Sequence, residues 1–189
     1  MRNATAFKDR ERVEIRLAGM GGQGMVLAGL VLARAAAIHD GKNAVQSQSY
    51  GAQQRGGPSQ SEVVISSREI DYPRVVSADV LVALTQEACD KHFLNLRKDG
   101  ILIVDSGLVD RVPTSRAYRV PVTELSRKAT GRPLAASIVA LGLLAELTGI
   151  VSEQALRETL ATESPRGALE LNLRALEAGL EEGRRLKAA

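Results

Sequence analysis

A single cysteine, Cys89, occurs in the 189 residues, alongside two histidines, His39 and His92, and no tryptophan. One thiol excludes a disulfide framework and any cysteine-ligated zinc or iron–sulfur cluster held by this chain alone. Two histidines so far apart in sequence offer neither metal-ligand spacing nor a Ser–His–Asp arrangement. No catalytic residue and no metal ligand is therefore assigned. Aromatics make up 3%, so the core must be built from Ala, Val, Leu and Ile. The longest apolar run, Leu134 to Ala145, falls short of the roughly 20 residues that span a bilayer. Residues 1–12 are charged and polar with no apolar segment behind them, so no secretory signal is visible and a cytoplasmic protein is expected. A net charge of +3, scattered along the chain, is too mild for a nucleic-acid protein.

What the sequence does contain is centred on VEIRLAGMGGQG, residues 13–24. Val13, Ile15 and Leu17 alternate with Glu14 and Arg16, the pattern of a half-buried strand. Gly19, Gly21 and Gly24 follow in G-x-G-x-x-G spacing, and an apolar helical run over Gln23–Asp40 opens at once, with Gly41 at its C-cap. Such glycines allow a tight turn whose backbone N–H groups, with the helix N-terminus, form an anion site. The same order of elements also suits a turn that only packs helix on strand.

Strand and helix then alternate. Asn43–Ser49 is a weak second strand that ends in Gln46, Ser47, Gln48, Ser49 and Tyr50, without the carboxylate that would hold a dinucleotide ribose, which disfavours NAD. YGAQQRGGPSQ, residues 50–60, is a loop in which Arg55 can present a charged fork, with Gly56 and Gly57 letting backbone pass close by. A plain surface turn explains the same composition. Core strands are expected at Glu62–Ser66, at 79–84 and at 101–105, and a further one at Ala117–Val122. Asp105, at a strand's carboxyl end, either meets a ligand or caps a turn. A helix over Gln86–Arg97, closed by Lys98, Asp99 and Gly100, buries Cys89 as a core thiol. A short helix is expected at Thr123–Ala129. From about residue 133 only helices follow: Ala135–Leu147, apolar on nearly all sides; one N-capped by Ser152; and one started by Ser164-Pro165 with a stripe of Leu169, Leu173, Leu176 and Leu180. The expected fold is α/β, a Rossmann-like, mostly parallel sheet flanked by helices. It forms one domain over 13–189, with a flexible arm at 1–12 and a helical C-terminal extension.

Three segments together carry a family resemblance: RLAGMGGQG at 16–24, AVQSQSYGAQQRGGPSQSEVVIS at 44–66, and IDYP with DVLVAL across 70–84. They resemble the gamma subunit, or gamma domain, of 2-oxoacid:ferredoxin oxidoreductases. QSQSYG and SEVVISSREIDYP look most like the 2-oxoglutarate-acting branch, also called 2-oxoglutarate synthase. The resemblance implies oxidative decarboxylation of a 2-oxoacid with coenzyme A to acyl-CoA and carbon dioxide, with electrons passing to ferredoxin. It implies alpha and beta partners that hold thiamine diphosphate with Mg, and an iron–sulfur subunit or domain of delta type. No cofactor, nucleic acid or membrane is assigned to this chain alone, and self-association of the isolated chain stays open. Placed on the residues, Gly19, Gly21, Gly22, Gln23 and Gly24 would form a backbone-donor turn. Tyr50, Gly51, Arg55, Gly56 and Gly57 would form a second loop above the same sheet edge, both facing coenzyme A or the alpha subunit. Two alternatives are a stand-alone nucleotide- or flavin-binding Rossmann-like protein and a purely architectural subunit.

Overall fold

In the computed structural model, which describes residues 7, 10–50 and 57–188, six strands form one sheet. They are β1 (Arg12–Met20), β2 (Asn43–Tyr50), β3 (Pro58–Ser66), β4 (Ala78–Ala83), β5 (Leu96–Asp105) and β6 (Tyr118–Val120), in the order β2-β3-β1-β4-β5-β6. β1, β4, β5 and β6 are parallel neighbours, while β3 pairs antiparallel with both β1 and β2. Five strands thus run one way and β3 the other. In a dinucleotide fold the second strand lies beside the first; here antiparallel β3 takes that place.

The helices are α1 (Met25–Arg34), α2 (Gln86–His92), α3 (Val122–Thr130), α4 (Ala136–Thr148), α5 (Glu153–Glu163) and α6 (Leu169–Ala188). One sheet face, bearing Ile15, Leu17, Val63 and Ile103, shares a continuous core with α1, α4, α5 and α6. α4 is buried around nearly its whole circumference, as its all-round apolarity demands. Leu176 and Leu180 of α6 are buried in the same core, with Leu169 and Leu173 packed on its margin. The leucine stripe is intramolecular. α4 and α6 approach as closely as glycine permits. A Cβ on Gly179 would lie 2.1 Å from the Val139 carbonyl oxygen, and one on Gly142 would lie 2.5 Å from that of Leu176. The opposite sheet face packs Ala18, Leu81, Ala83, Leu102 and Val104 against Ala88 and Cys89 of α2. Cys89 is fully buried there.

Several local expectations are corrected. α1 yields to a π-helical turn, Ala35–His39, beyond which Asp40 accepts hydrogen bonds from the Ser152 N–H and hydroxyl at 2.8 and 2.6 Å. The helix from Gln86 stops at His92, passes through a 3-10 turn, Phe93–Asn95, and the chain is already β5 at Leu96. Gly100 is no helix cap. It lies where the β4–β5 register shifts, and a Cβ on it would sit 3.0 Å from the Asp79 carbonyl oxygen. β3 starts at Pro58, four residues earlier than its β-branched segment suggests. Ser164-Pro165 does not start the last helix. Ser164 ends α5, a turn through Gly167 follows, and α6 begins at Leu169. Ser152 does cap α5, accepting from the Ala155 N–H at 3.1 Å. Within the 1–12 arm, Phe7 is buried, and Arg10 stacks over its ring and reaches Asp79 at 2.5 Å.

Candidate functional site

The sequence-predicted residues of the first turn, with Gly57, gather at the carboxyl end of β1. Gly19 is the penultimate residue of β1, Gly21 and Gly22 turn the chain, and Gly24 is the N-cap of α1 with φ 81°. Gln23 folds back so that its Oε1 accepts the Met20 N–H at 2.7 Å. A Cβ on Gly19 would stand 2.4 Å from that oxygen, so glycine there makes room for the fold-back. Gly21 donates to the carbonyl of Gly57 at 2.7 Å, and the Gln23 N–H donates to the Met20 carbonyl at 3.0 Å. The first turn and the base of the second loop are therefore in contact. Gly24 faces α4: a Cβ on it would lie 2.6 Å from Ser137 Oγ. Gly22, with φ 98°, has open space where a side chain would go. Three N–H donors of the turn are thus spent inside the protein; close packing requires glycine at Gly19 and Gly24, and a positive φ favours it at Gly22. Gly51, Arg55 and Gly56 lie outside the described residues, as does the Tyr50 side chain.

α1 is held tightly to β3 just behind this turn. Ser61 Oγ would be 2.0 Å from a Cβ on Gly29, and Gln46 bonds both Ser61 Oγ at 2.9 Å and the Val26 carbonyl at 3.0 Å. Asp105 resolves as a cap. It accepts the Thr123 N–H at 2.9 Å, the Thr123 hydroxyl, and the Gly107 N–H at 3.0 Å.

Sequence reasoning placed Glu14 and Arg16 on a solvated strand face, yet both are buried. The β3–β4 crossover covers that face and supplies the partners. Glu14 accepts the N–H groups of Val76 and Ser77 at 2.7 and 3.0 Å, and Arg16 reaches Glu62 at 2.7 Å and the Val75 carbonyl at 3.2 Å. The Asp79 carboxyl, accepting the Glu14 N–H at 2.8 Å, is pushed above the ordinary range by burial, which outweighs that bond and the pull of Arg97 and Arg10. The signal for the buried pair was present as opposite charges on strands destined to be neighbours, but nothing short of the pairing register reveals it.

Beside the pair, on the face away from α1, a cleft of about 70 Å³ opens between α2 and the β2–β3–β1 corner. Gly19, Pro58, Ser59, Thr85 and His92 all border it. It adjoins the glycine turn at Gly19 and the second loop at Pro58. Among the described residues no group of three or more His, Cys, Asp or Glu is placed to hold a metal ion, and no helix is long and apolar enough to cross a membrane.

Comparison with known proteins bears on this geometry. The family model for pyruvate ferredoxin/flavodoxin oxidoreductase matches residues 14–182. The 2-oxoglutarate synthase subunit KorC of Methanocaldococcus jannaschii is 45% identical over 179 residues, covering 93% of this chain and 96% of the relative. The crystal structure of a keto/oxoacid ferredoxin oxidoreductase gamma subunit from Geobacter sulfurreducens superposes with a TM-score of 0.83 at 44% identity, covering 93% of this chain and 98% of that one. A 2-oxoglutarate:ferredoxin oxidoreductase from Magnetococcus marinus, with 2-oxoglutarate, coenzyme A and succinyl-CoA bound, superposes with a TM-score of 0.81 at 26% identity. The match covers 94% of this chain but 32% of that longer one.

Proposed function

The chain belongs to the pyruvate ferredoxin/flavodoxin oxidoreductase family, and from that premise we propose that it is the gamma subunit of a cytoplasmic 2-oxoglutarate:ferredoxin oxidoreductase. The complex would convert 2-oxoglutarate and coenzyme A to succinyl-CoA and carbon dioxide, and ferredoxin would take the two electrons released. Near full-length identity of 45% to a 2-oxoglutarate synthase subunit carries this reading. Thiamine diphosphate with Mg and the iron–sulfur clusters belong, on this reading, to alpha, beta and delta-type partners. This chain's own share is to complete the assembly and to border the coenzyme A side of the site with the loops that carry Gly19–Gly24 and Tyr50–Gly57.

Purification through a tag on this chain tests the proposal. Co-purifying chains identified by mass, together with thiamine and iron in stoichiometric amounts, support it. A solitary chain that binds a nucleotide and recruits no partner overturns it.

A second, architectural reading has its own observation. The glycine turn spends three N–H donors internally and packs Gly24 against Ser137. Arg55→Ala separates the two readings. If the second loop binds coenzyme A, its KM rises while assembly stays intact; if the loop is architectural, assembly weakens and the KM holds.

A further inference from the structure

The sheet face away from α1 carries one short helix, α2, together with the β3–β4 crossover and the segment between β5 and β6. Ile70 of the crossover and Leu96 at the start of β5 pack on one small cluster, Val64, Val75 and Ala78. Arg97 ties the same two segments, donating to the Ser77 carbonyl at 3.1 Å. Both leave large apolar side chains in water. Tyr72 and Val76 of the crossover are 56% and 66% exposed, and Leu94, just before β5, is 88% exposed. Apolar groups gathered on one face mark an interaction surface.

The two segments differ in charge. On the crossover, Glu69 and Asp71 are exposed, and neither carboxylate pairs with a described residue. Arg74 is the only cation among residues 69–76. Arg12 fixes this strip from below, donating to the carbonyls of Tyr72 and Arg74 at 2.9 and 3.1 Å. Beside it lies a groove of about 220 Å³ with an apolar wall of Phe93, Leu96 and Leu102. Lys98 and Arg116 also line it, both exposed and neither paired with a described residue, and no carboxylate lines it. Arg97, a third cation there, is held by Asp79 at 3.3 Å.

We propose that a second copy of this chain docks on this face, with Tyr72 of each copy entering the groove of the other and Glu69 and Asp71 meeting Lys98 and Arg116. An acidic, apolar strip lies next to a basic, apolar groove, so a two-fold axis between them sets each on its complement twice. An acidic segment of another protein would fill the groove but leave Glu69 and Asp71 unmatched; a second copy satisfies both. At about 220 Å³, against the roughly 150 Å³ that takes a benzene ring, the groove admits the tyrosine ring. The buried aromatic anchor supplies most of the affinity, and the exposed charges set register and encounter rate.

Sedimentation of the purified full chain over a range of concentrations tests this, with two charge-reversed forms beside the parent. One is Glu69→Lys/Asp71→Lys and the other Lys98→Glu/Arg116→Glu. All four side chains are exposed and unpaired within the described chain, so both forms should fold, as thermal unfolding reports. The parent should dimerise, less tightly as sodium chloride is raised. Each reversed form alone sets like charges face to face and should self-associate at least about tenfold more weakly. An equimolar mixture of the two restores opposite charges at both contacts and should recover the dimer. Tyr72→Ala should weaken the parent dimer about 30-fold, the scale of an aromatic anchor. A parent that stays monomeric at about 100 μM, reversed forms that dimerise like the parent, or a mixture that stays monomeric would overturn the proposal. Growth into larger oligomers instead of a closed dimer would overturn it too, since a two-fold contact is self-limiting. Should a groove variant keep the parent's oligomeric state yet shed companion chains on tag purification, the occupant is another subunit and not a second copy. The sedimentation needs no partner subunit, so its outcome and that of the proposed complex are read separately.

Discussion

Gly21 donates its backbone N–H to the carbonyl of Gly57 at 2.7 Å, fastening the turn after β1 to the base of the loop between β2 and β3. The bond sits at the end of the β1–β3 ladder, one step beyond the pair Met20 and Pro58. It follows from β3 lying beside β1, so the position of both loops is a consequence of the strand order. Whatever the second loop contacts, it leaves the sheet from a point fixed to the glycine turn.

Replacing Gly24 by alanine should destabilise the protein by about 2 kcal/mol or more. The αL backbone, φ 81°, costs a residue with a Cβ about 1 kcal/mol, and contact at 2.6 Å with Ser137 Oγ adds to it. The double variant Gly24→Ala/Ser137→Ala should recover the steric part alone. Thermal unfolding reads both; an unchanged Tm for the single variant would mean that the turn is not held as described.

Arg16→Met should cost about 3–5 kcal/mol, because it leaves Glu62 buried without its cation. Arg16→Met/Glu62→Leu should recover most of that loss, since an apolar pair in the same volume avoids the desolvation of both charges. Urea unfolding of the two variants checks the cycle. Equal losses in both would show that the pair's worth lies elsewhere than in mutual neutralisation.

His92 gives the protein a pH slope of predictable sign. Its folded pKa, about 4, lies below the ordinary value of 6.5. As pH falls from 6.5 toward 4, the unfolded chain takes a proton at this position and the native state does not, so stability drops across that window and the loss levels off below it. His92→Gln should lack this component. The stability difference between variant and parent should move in the variant's favour between pH 6.5 and 4, measured by urea unfolding at several pH values. Parallel curves would contradict the lowered pKa.

Gly179→Ala should destabilise by about 3 kcal/mol, at the upper end of overpacking effects. The new methyl would fall 2.1 Å from a backbone oxygen of α4, which cannot swing aside as a side chain can. The same change at Gly167, where φ is 77° but nothing lies within 4 Å, should show only the smaller backbone cost. Comparison of the two Tm values separates close packing from conformation.

Much of this was legible in the sequence because local patterns carried it. The apolar strands at 79–84 and 101–105, the Ser152 cap, the core Cys89 and the leucine stripe all depend on residues near one another in the chain. What stayed hidden depends on pairing between distant segments. The burial of Glu14 and Arg16 requires knowing that the crossover after β3 lies over β1. The cleft requires knowing that Ser49, Gln60 and Ala18 stand abreast across three strands. α2 stops early because Leu96 pairs with Ala78 in the sheet, a tertiary demand that overrides the helical pattern running to Arg97. The two glycine-rich segments were recognised separately, but their bond at Gly21 and Gly57 follows only from the antiparallel placement of β3.

The central claim, membership in a 2-oxoglutarate-oxidising complex, is tested most directly by assaying the intact purified complex with a panel of 2-oxoacids. The readout is coenzyme A-dependent reduction of a viologen dye, with and without this chain. The account predicts the highest kcat/KM for 2-oxoglutarate and loss of that activity when the chain is left out. Full activity without the chain, or a clear preference for pyruvate or a branched-chain oxoacid, would contradict it.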